Sequence, residues 1–129
     1  MNSRNFDGWN MLKKDIDIRQ SWPHGFNEGE IWWASIGLNV GDEEDGKNID
    51  FERPVLIIRR FNNRVAIIVP ITSSNKGSEY HSRIGKVFAI VSQIRLISTK
   101  RLNRYFRQIT KEEFETVRRD LISAIFTYF

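Results

Sequence analysis

The chain has 129 residues, 40% of them apolar, including nine Phe and four Trp, which is enough for the core of one domain and too much for a disordered tail. It has no cysteine, which excludes disulfides, thiolate chemistry and a Cys-based zinc site, and its two histidines, His24 and His81, show no metal-ligand spacing. The net charge of +4 is divided: 5 Lys/Arg against 11 Asp/Glu over residues 1–52 (−6), and 15 against 5 over residues 53–129 (+10), a basic half able to attract polyphosphate.

Residues 6–20 carry a loose helical pattern, with Phe6, Trp9, Leu12 and Ile16 on one face and Asp7 placed to cap the start. Residues 21–25, Ser-Trp-Pro-His-Gly, are a break, so residues 1–25 read as an N-terminal arm with one short helix, and 26–129 as the domain proper. Asn27 and Gly29 open a first strand over residues 30–36. The stretch 37–52 holds three glycines and a run of acids, and reads as a loop longer than most in a compact domain. A second strand follows over 55–59, then a turn at Phe61-Asn62-Asn63-Arg64 and a hairpin partner over 65–71. Both runs are almost continuously aliphatic, which predicts burial on both faces. Residues 73–82 are polar and turn-like. Residues 86–91 read as a strand that 94–97 continue past a bend, 99–102 as a short helical turn, and 105–109 as an edge strand. Thr110-Lys111-Glu112-Glu113 fits a capping box, and Phe114, Val117, Leu121, Ile122 and Ile125 form the stripe of the helix behind it. Short strands, a terminal helix and no helix between strands predict a small antiparallel barrel. No apolar run reaches the ~20 residues of a membrane span and the N-terminus lacks a signal-peptide core, so a cytoplasmic protein is expected.

If 55–59 and 65–71 pair as antiparallel neighbours, Arg53, which precedes one, and Thr72, which follows the other, fall at the same end of the sheet. A guanidinium beside a hydroxyl in a basic chain suggests a phosphodiester site. The guanidinium fork clamps two phosphate oxygens and stabilises developing charge; with a pKa above ~12 it makes a poor acid. The plain alternative for Arg53 is an ion pair with Glu52 or with the acidic loop. The Thr72 hydroxyl can donate to a non-bridging oxygen; the plain alternative is a Thr that closes a strand end, and Ser73 or Ser74 can substitute for it.

The segments Gly29-Glu30-Ile31-Trp32-Trp33, Val40-Gly41-Asp42-Glu43, Arg53-Pro54-Val55-Leu56-Ile57-Ile58, Val69-Pro70-Ile71-Thr72-Ser73, Ser92-Gln93-Ile94-Arg95-Leu96-Ile97-Ser98 and Lys100-Arg101-Leu102, in this order, resemble the MazF/PemK toxins of type II toxin–antitoxin systems. The resemblance runs from about Phe26 to Ile125. It implies an SH3-like barrel, a two-fold homodimer, and a metal-independent, cofactor-free endoribonuclease that cuts single-stranded RNA at a short sequence. It implies further that a cognate antitoxin neutralises the toxin, that DNA is met only through that antitoxin, and that no membrane is involved. The family's catalytic arginine falls on Arg53 and its catalytic Ser/Thr on Thr72. Glu43 matches the loop glutamate, and Ser73, Gln93 and Arg95 are expected to line the RNA groove, the last two on one face of an extended segment opposite Ile94 and Leu96. The arm 1–25 is extra, and the loop 41–53 is longer and more acidic than in compact members.

Several alternatives stay open in the sequence. Glu43 is a base contact or a solvated loop acid; Gln93 and Arg95 face RNA, a dimer seam or water. His81 is a candidate base or a plain loop histidine. Of Trp32 and Trp33 one is core, and the other stacks a base or is buried in a dimer. Two other functions compete with the nuclease: a non-catalytic RNA- or protein-binding barrel, and a toxin-like protein whose acidic loop fills its own groove.

Overall fold

The computed structural model describes residues 4–21, 25–74 and 79–126. His24 and most of the break around it lie outside the described residues. Seven strands follow an N-terminal helix α1 (Phe6–Asp17): β1 (Glu30–Ser35), β2 (Glu52–Arg60), β3 (Val65–Thr72), β4 (His81–Ile84), β5 (Val87–Ile90), β6 (Arg95–Ser98) and β7 (Leu102–Gln108). Helix α2 (Lys111–Ile125) ends the described chain. The sheet order is β4-β5-β3-β2-β1-β7 with β6 also on β3, and every pairing is antiparallel. This is the mostly β, SH3-like architecture with a terminal helix; β4 and β7 end the path unpaired to one another, so the barrel is open.

Strand β2 shows why its run is aliphatic throughout. Val55 and Ile57 face a cluster with Phe26, Trp32, Ala66 and Ile68, while Leu56 faces the other way, into a cluster with Ile31, Val69, Ile71, Val117 and Leu121. The two cores lie on opposite faces of the same strands, as the side-chain period of two requires. Val117 and Leu121 bring α2 onto the second core, whereas Ile122 and Ile125 of the expected stripe remain exposed. The Thr110 hydroxyl accepts from Glu113 N–H at 3.1 Å and the Glu113 carboxylate accepts from Thr110 N–H at 2.8 Å, so the capping box is formed.

Several expectations are corrected. Strand β2 begins at Glu52, so Arg53 and Pro54 lie inside it; Pro54 sits where the ladder to β3 has ended, a place where a strand tolerates a residue without an N–H. The polar stretch 73–82 contains the start of β4, which pairs with β5 from His81↔Ile90 to Ile84↔Val87. Residues 94–97 do not continue β5: a 3₁₀ turn at Val91–Gln93 redirects the chain, and β6 pairs with the opening half of β3 while β5 takes its end. Asn5, not Asp7, caps α1, its side chain accepting from Gly8 N–H at 2.9 Å; Asp7 sits in the first turn, where the helix dipole favours an acid. Trp9 and Ile16 are the buried pair of α1, and Phe6 of its expected face is exposed.

Helix α1 docks on the base of the β1–β2 loop. Gly37 has φ +82°, and a Cβ there would stand 2.1 Å from Trp9 ring carbons, so the indole lies flat where only glycine fits. Trp9 also packs on Phe51 (centroids 5.7 Å) and under the Arg101 guanidinium (5.7 Å). Phe51 has φ +51°, a rare value for an aromatic residue, and its contact with Trp9 helps to hold that strained position.

Candidate functional site

Strands β1, β2 and β3 bring the two residues singled out from the sequence to one edge. Ala34 is paired with Arg53, and Val55 with Pro70, which leaves Thr72 at the end of β3 beside the start of β2. Arg53 and Thr72, with Ser73, line one groove of about 440 Å³, shared with Trp33, Glu52, Pro54, Phe106 and Arg107. Thr72 Oγ accepts from Ser74 N–H at 3.2 Å, which leaves its own O–H to donate elsewhere. Ser73 is exposed.

Arg53 is 9% exposed and its fork is already engaged. Nε donates to the Asp45 carbonyl at 2.8 Å, Nη2 meets a Glu44 carboxylate oxygen at 2.9 Å, and Nη1 donates weakly to the Ile71 carbonyl at 3.4 Å. The acidic loop therefore lies against the guanidinium. It is ordered by its own bonds: the Asn39 side chain donates to the Glu44 carbonyl at 2.7 Å, Asn39 N–H donates to Asp45 Oδ1 at 2.7 Å, and Lys47 and Glu52 exchange backbone bonds at 2.8 and 2.9 Å. Arg4 from the arm pairs with Asp45 at 3.1 Å and donates to the Asn39 carbonyl at 2.6 Å.

Glu52 does not pair with Arg53. Alternation turns its carboxylate away, to Arg104 Nη1 (2.8 and 3.0 Å), Asn103 Nδ2 (2.9 Å) and Asn48 Nδ2 (3.3 Å). Burial pushes the Glu52 pKa up, but the bonds from Asn103, Arg104 and Asn48, with the Arg104 charge, outweigh it and hold the carboxyl below its ordinary value.

Glu43, Gln93 and Arg95 do not join this groove. They line a second concavity of about 510 Å³ with Glu44, Asn39, Ser92 and Ile94. Gln93 closes a 3₁₀ turn and is not in extended chain, so the expected alternation with Arg95 is broken; in β6 it is Ile97 that is buried, while Leu96 is exposed. The Gln93 amide fastens the loop, accepting from Glu44 N–H at 3.2 Å and donating to the Asp42 carbonyl at 3.1 Å. Glu43 caps a turn of the loop by accepting from Val40 N–H at 2.9 Å. Burial lowers the Arg95 pKa, which the charge of Glu43 partly restores; burial and then the neighbouring Arg95 charge lower that of Arg101. His81 opens β4 and is no loop residue: its ring packs edge-on to Phe88, and its Nδ1 is buried without a hydrogen bond to any described residue.

A family profile described as "PemK-like, MazF-like toxin of type II toxin-antitoxin system" matches residues 27–125. The chain belongs to this toxin family. The fold agrees with solved toxins. The chain is similar to MazF from Deinococcus radiodurans (TM-score 0.65, 19% identity, covering 78% of this chain and 96% of that one). It is likewise similar to an endoribonuclease in complex with its cognate antitoxin from a Mycobacterial species (0.63, 13%, 78% and 95%) and to a chain of a MazE–MazF complex from D. radiodurans (0.60, 16%, 78% and 95%). No curated protein sequence matches.

Helix α1 lies outside the matched residues and, with Arg4 before it, braces the loop. Sequence reasoning missed the wall formed by Glu52, Phe106 and Arg107, and the Arg104 guanidinium that Glu52 holds against Trp33. Its signal was present but non-local: Arg104 and Phe106 alternate on an edge strand, and Trp33 follows a core Trp32 by one residue. Among the described residues, no helix is long and apolar enough to cross a membrane.

Proposed function

We propose that this toxin is a sequence-specific, metal-independent endoribonuclease that cleaves single-stranded RNA in the cytoplasm, acting as a homodimer and neutralised by a cognate antitoxin. The observation that carries this reading is the meeting of Arg53 and Thr72 in one groove of a MazF-like fold. A solved relative described as an endoribonuclease bound to its cognate antitoxin supports the activity and the partner. The ribose 2′-oxygen attacks the adjacent phosphorus, the bond to the 5′-oxygen breaks, and the products are a 2′,3′-cyclic phosphate and a 5′-hydroxyl. Arg53 stabilises the extra negative charge on the phosphorane-like oxygens, and Thr72 donates its O–H to a non-bridging oxygen. Ser73 lies at the same groove, while Glu43, Gln93 and Arg95 act at the second concavity on more distant parts of the RNA.

A second reading is favoured by one contact. Glu44 occupies the guanidinium that the phosphate needs. The described conformation is then a closed, resting one, from which RNA displaces the loop. The deciding experiment incubates purified protein with mixed-sequence RNA in EDTA and maps the new ends. Cyclic phosphate and 5′-hydroxyl ends lost in Arg53→Ala are expected; a strict divalent-ion requirement overturns the mechanism. Sedimentation as a monomer at micromolar concentration removes the homodimer.

A further inference from the structure

The groove has a second wall that the cleavage chemistry does not use. Strands β1 and β7 pair Trp33 with Arg104, and Phe106 lies next along β7 on the same face. Trp33 and Phe106 rings stand 6.0 Å apart, inclined at 48°. The Arg104 guanidinium lies 4.7 Å from the Trp33 ring centre, within cation–π range. Phe106 is 50% exposed, in contrast to Trp32 on the opposite face, which is 4% exposed in the core.

This wall is built, not loose. Glu52 is 3% exposed, and its carboxylate grips Arg104 at 2.8 Å while Asn103 and Asn48 complete its shell. A buried, multiply bonded carboxylate fixes the guanidinium plane over the indole. An exposed Phe at an edge strand next to Arg104 and Arg107 would be a liability for a surface with no ligand. Aromatic faces interleaved with cations are what an unpaired nucleobase and its flanking phosphates require.

We infer that Trp33 and Phe106, which both line this groove, form a stacking subsite for one unpaired RNA base flanking the scissile phosphate, with Arg104, held by Glu52, as the positioning residue for the Trp33 ring. This rests on the RNA-cleaving reading of the neighbouring Arg53. Every base has a π-face, so the subsite adds affinity and requires a single-stranded segment, but does not choose the base. Arg107, in the same groove, neutralises a neighbouring phosphate.

The test measures binding and does not depend on cleavage. Fluorescence anisotropy follows a labelled, unstructured 2′-O-methyl RNA decamer of mixed sequence, which lacks the attacking 2′-hydroxyl and stays intact, and a series of such decamers with one abasic position each, on wild type, Phe106→Leu and Arg107→Ala. Leucine keeps the apolar bulk at an exposed position and removes the ring, so thermal melting should match wild type. Phe106→Leu is expected to weaken binding roughly 5- to 100-fold, with an unchanged salt slope, because stacking carries no charge. The loss should vanish on the decamer whose abasic position meets the subsite. Arg107→Ala should lower the slope by about one charge. Equal affinity of Phe106→Leu and wild type overturns the subsite, as does an equal loss on every abasic decamer, or a loss traced by sedimentation to a broken dimer. Cleavage that fails in EDTA while the abasic pattern holds removes the catalytic reading and keeps the subsite. Cleavage at the wild-type rate and affinity in Phe106→Leu does the reverse.

Discussion

The two concavities on either side of the acidic loop each hold an arginine and a glutamate, yet they are organised differently. In the first, Arg53 is almost buried and all three guanidinium nitrogens have partners, among them Glu44 at 2.9 Å. In the second, Arg95 is half-buried, and its guanidinium feels Glu43 only through space, with no hydrogen bond to a described residue. A guanidinium saturated by a loop is preorganised: backbone carbonyls hold its orientation, and one carboxylate, from Glu44, takes its remaining fork. A guanidinium without such bonds can bind an anion but does not fix its position. On the proposed function, the difference assigns the chemistry to Arg53 and the attraction of RNA to Arg95.

The sharpest way to break this contrast is to truncate both arginines. Arg53→Ala should reduce RNA cleavage by about 10²- to 10³-fold with the fold retained, since the side chain lies at the groove and outside both cores. Arg95→Ala should cost under about tenfold, read as weaker binding at unchanged turnover. Comparable losses in the two variants would erase the distinction.

Glu52 and Glu43 make a second pair. Because the folded pKa of Glu52 lies below its ordinary 4.5, its ionised contacts stabilise the fold above about pH 4.5 and are lost as the pH falls through the folded value. Glu52→Gln should cost about 1–3 kcal/mol at pH 7 in urea unfolding and flatten the acid limb between pH 5 and 3. Glu43→Gln should leave that limb as it is. An unchanged acid limb in Glu52→Gln would show that the Asn103–Arg104 cradle does not depend on its charge.

A smaller effect distinguishes the loop's acids. Replacing Asp42, Glu44 and Asp45 with Asn, Gln and Asn should tighten binding of single-stranded RNA several-fold at low salt, with a gain that shrinks above 0.1–0.2 M, where the Debye length falls below about 10 Å. Equal affinity at low ionic strength would show that the loop does not hinder RNA. The smallest change is expected from Arg4→Ala: its pair with Asp45 is part-exposed, and the stability loss should stay within about 0–1 kcal/mol by the same urea assay.

Local patterns were legible in the sequence and distant pairings were not. The Thr110–Glu113 box lies within four residues, and the aliphatic runs of β2 and β3 imply their own two-sided burial, so both are found as read. The shared end for Arg53 and Thr72 followed from a hairpin with a short turn. Strand β4 was hidden because His81-Ser82-Arg83-Ile84 is half polar; its Ser82 hydroxyl is satisfied by Asp120 on α2 at 2.7 Å, a partner 38 residues away. The Glu52–Arg104 pair spans 52 residues, and no composition rule announces it. Pro54 suggested a strand beginning after it, because the end of the β3 ladder, which admits a proline, is a tertiary fact.

The register between β1 and β7 has a consequence for the order in which the molecule is made. Ile31 meets Arg107, so the wall opposite Arg53 is contributed by opposite ends of the domain. At about 5–20 residues per second, the ribosome adds the 54 residues from Arg53 to Arg107 over several seconds. During that interval the hairpin of β2 and β3 can form locally, since its contacts are close in sequence. The nascent chain then carries its arginine and threonine side by side but has no groove to present them. Completion waits for β7, the last strand among the described residues, so the edge that carries Arg53 gains its facing wall only when both ends of the domain have been made.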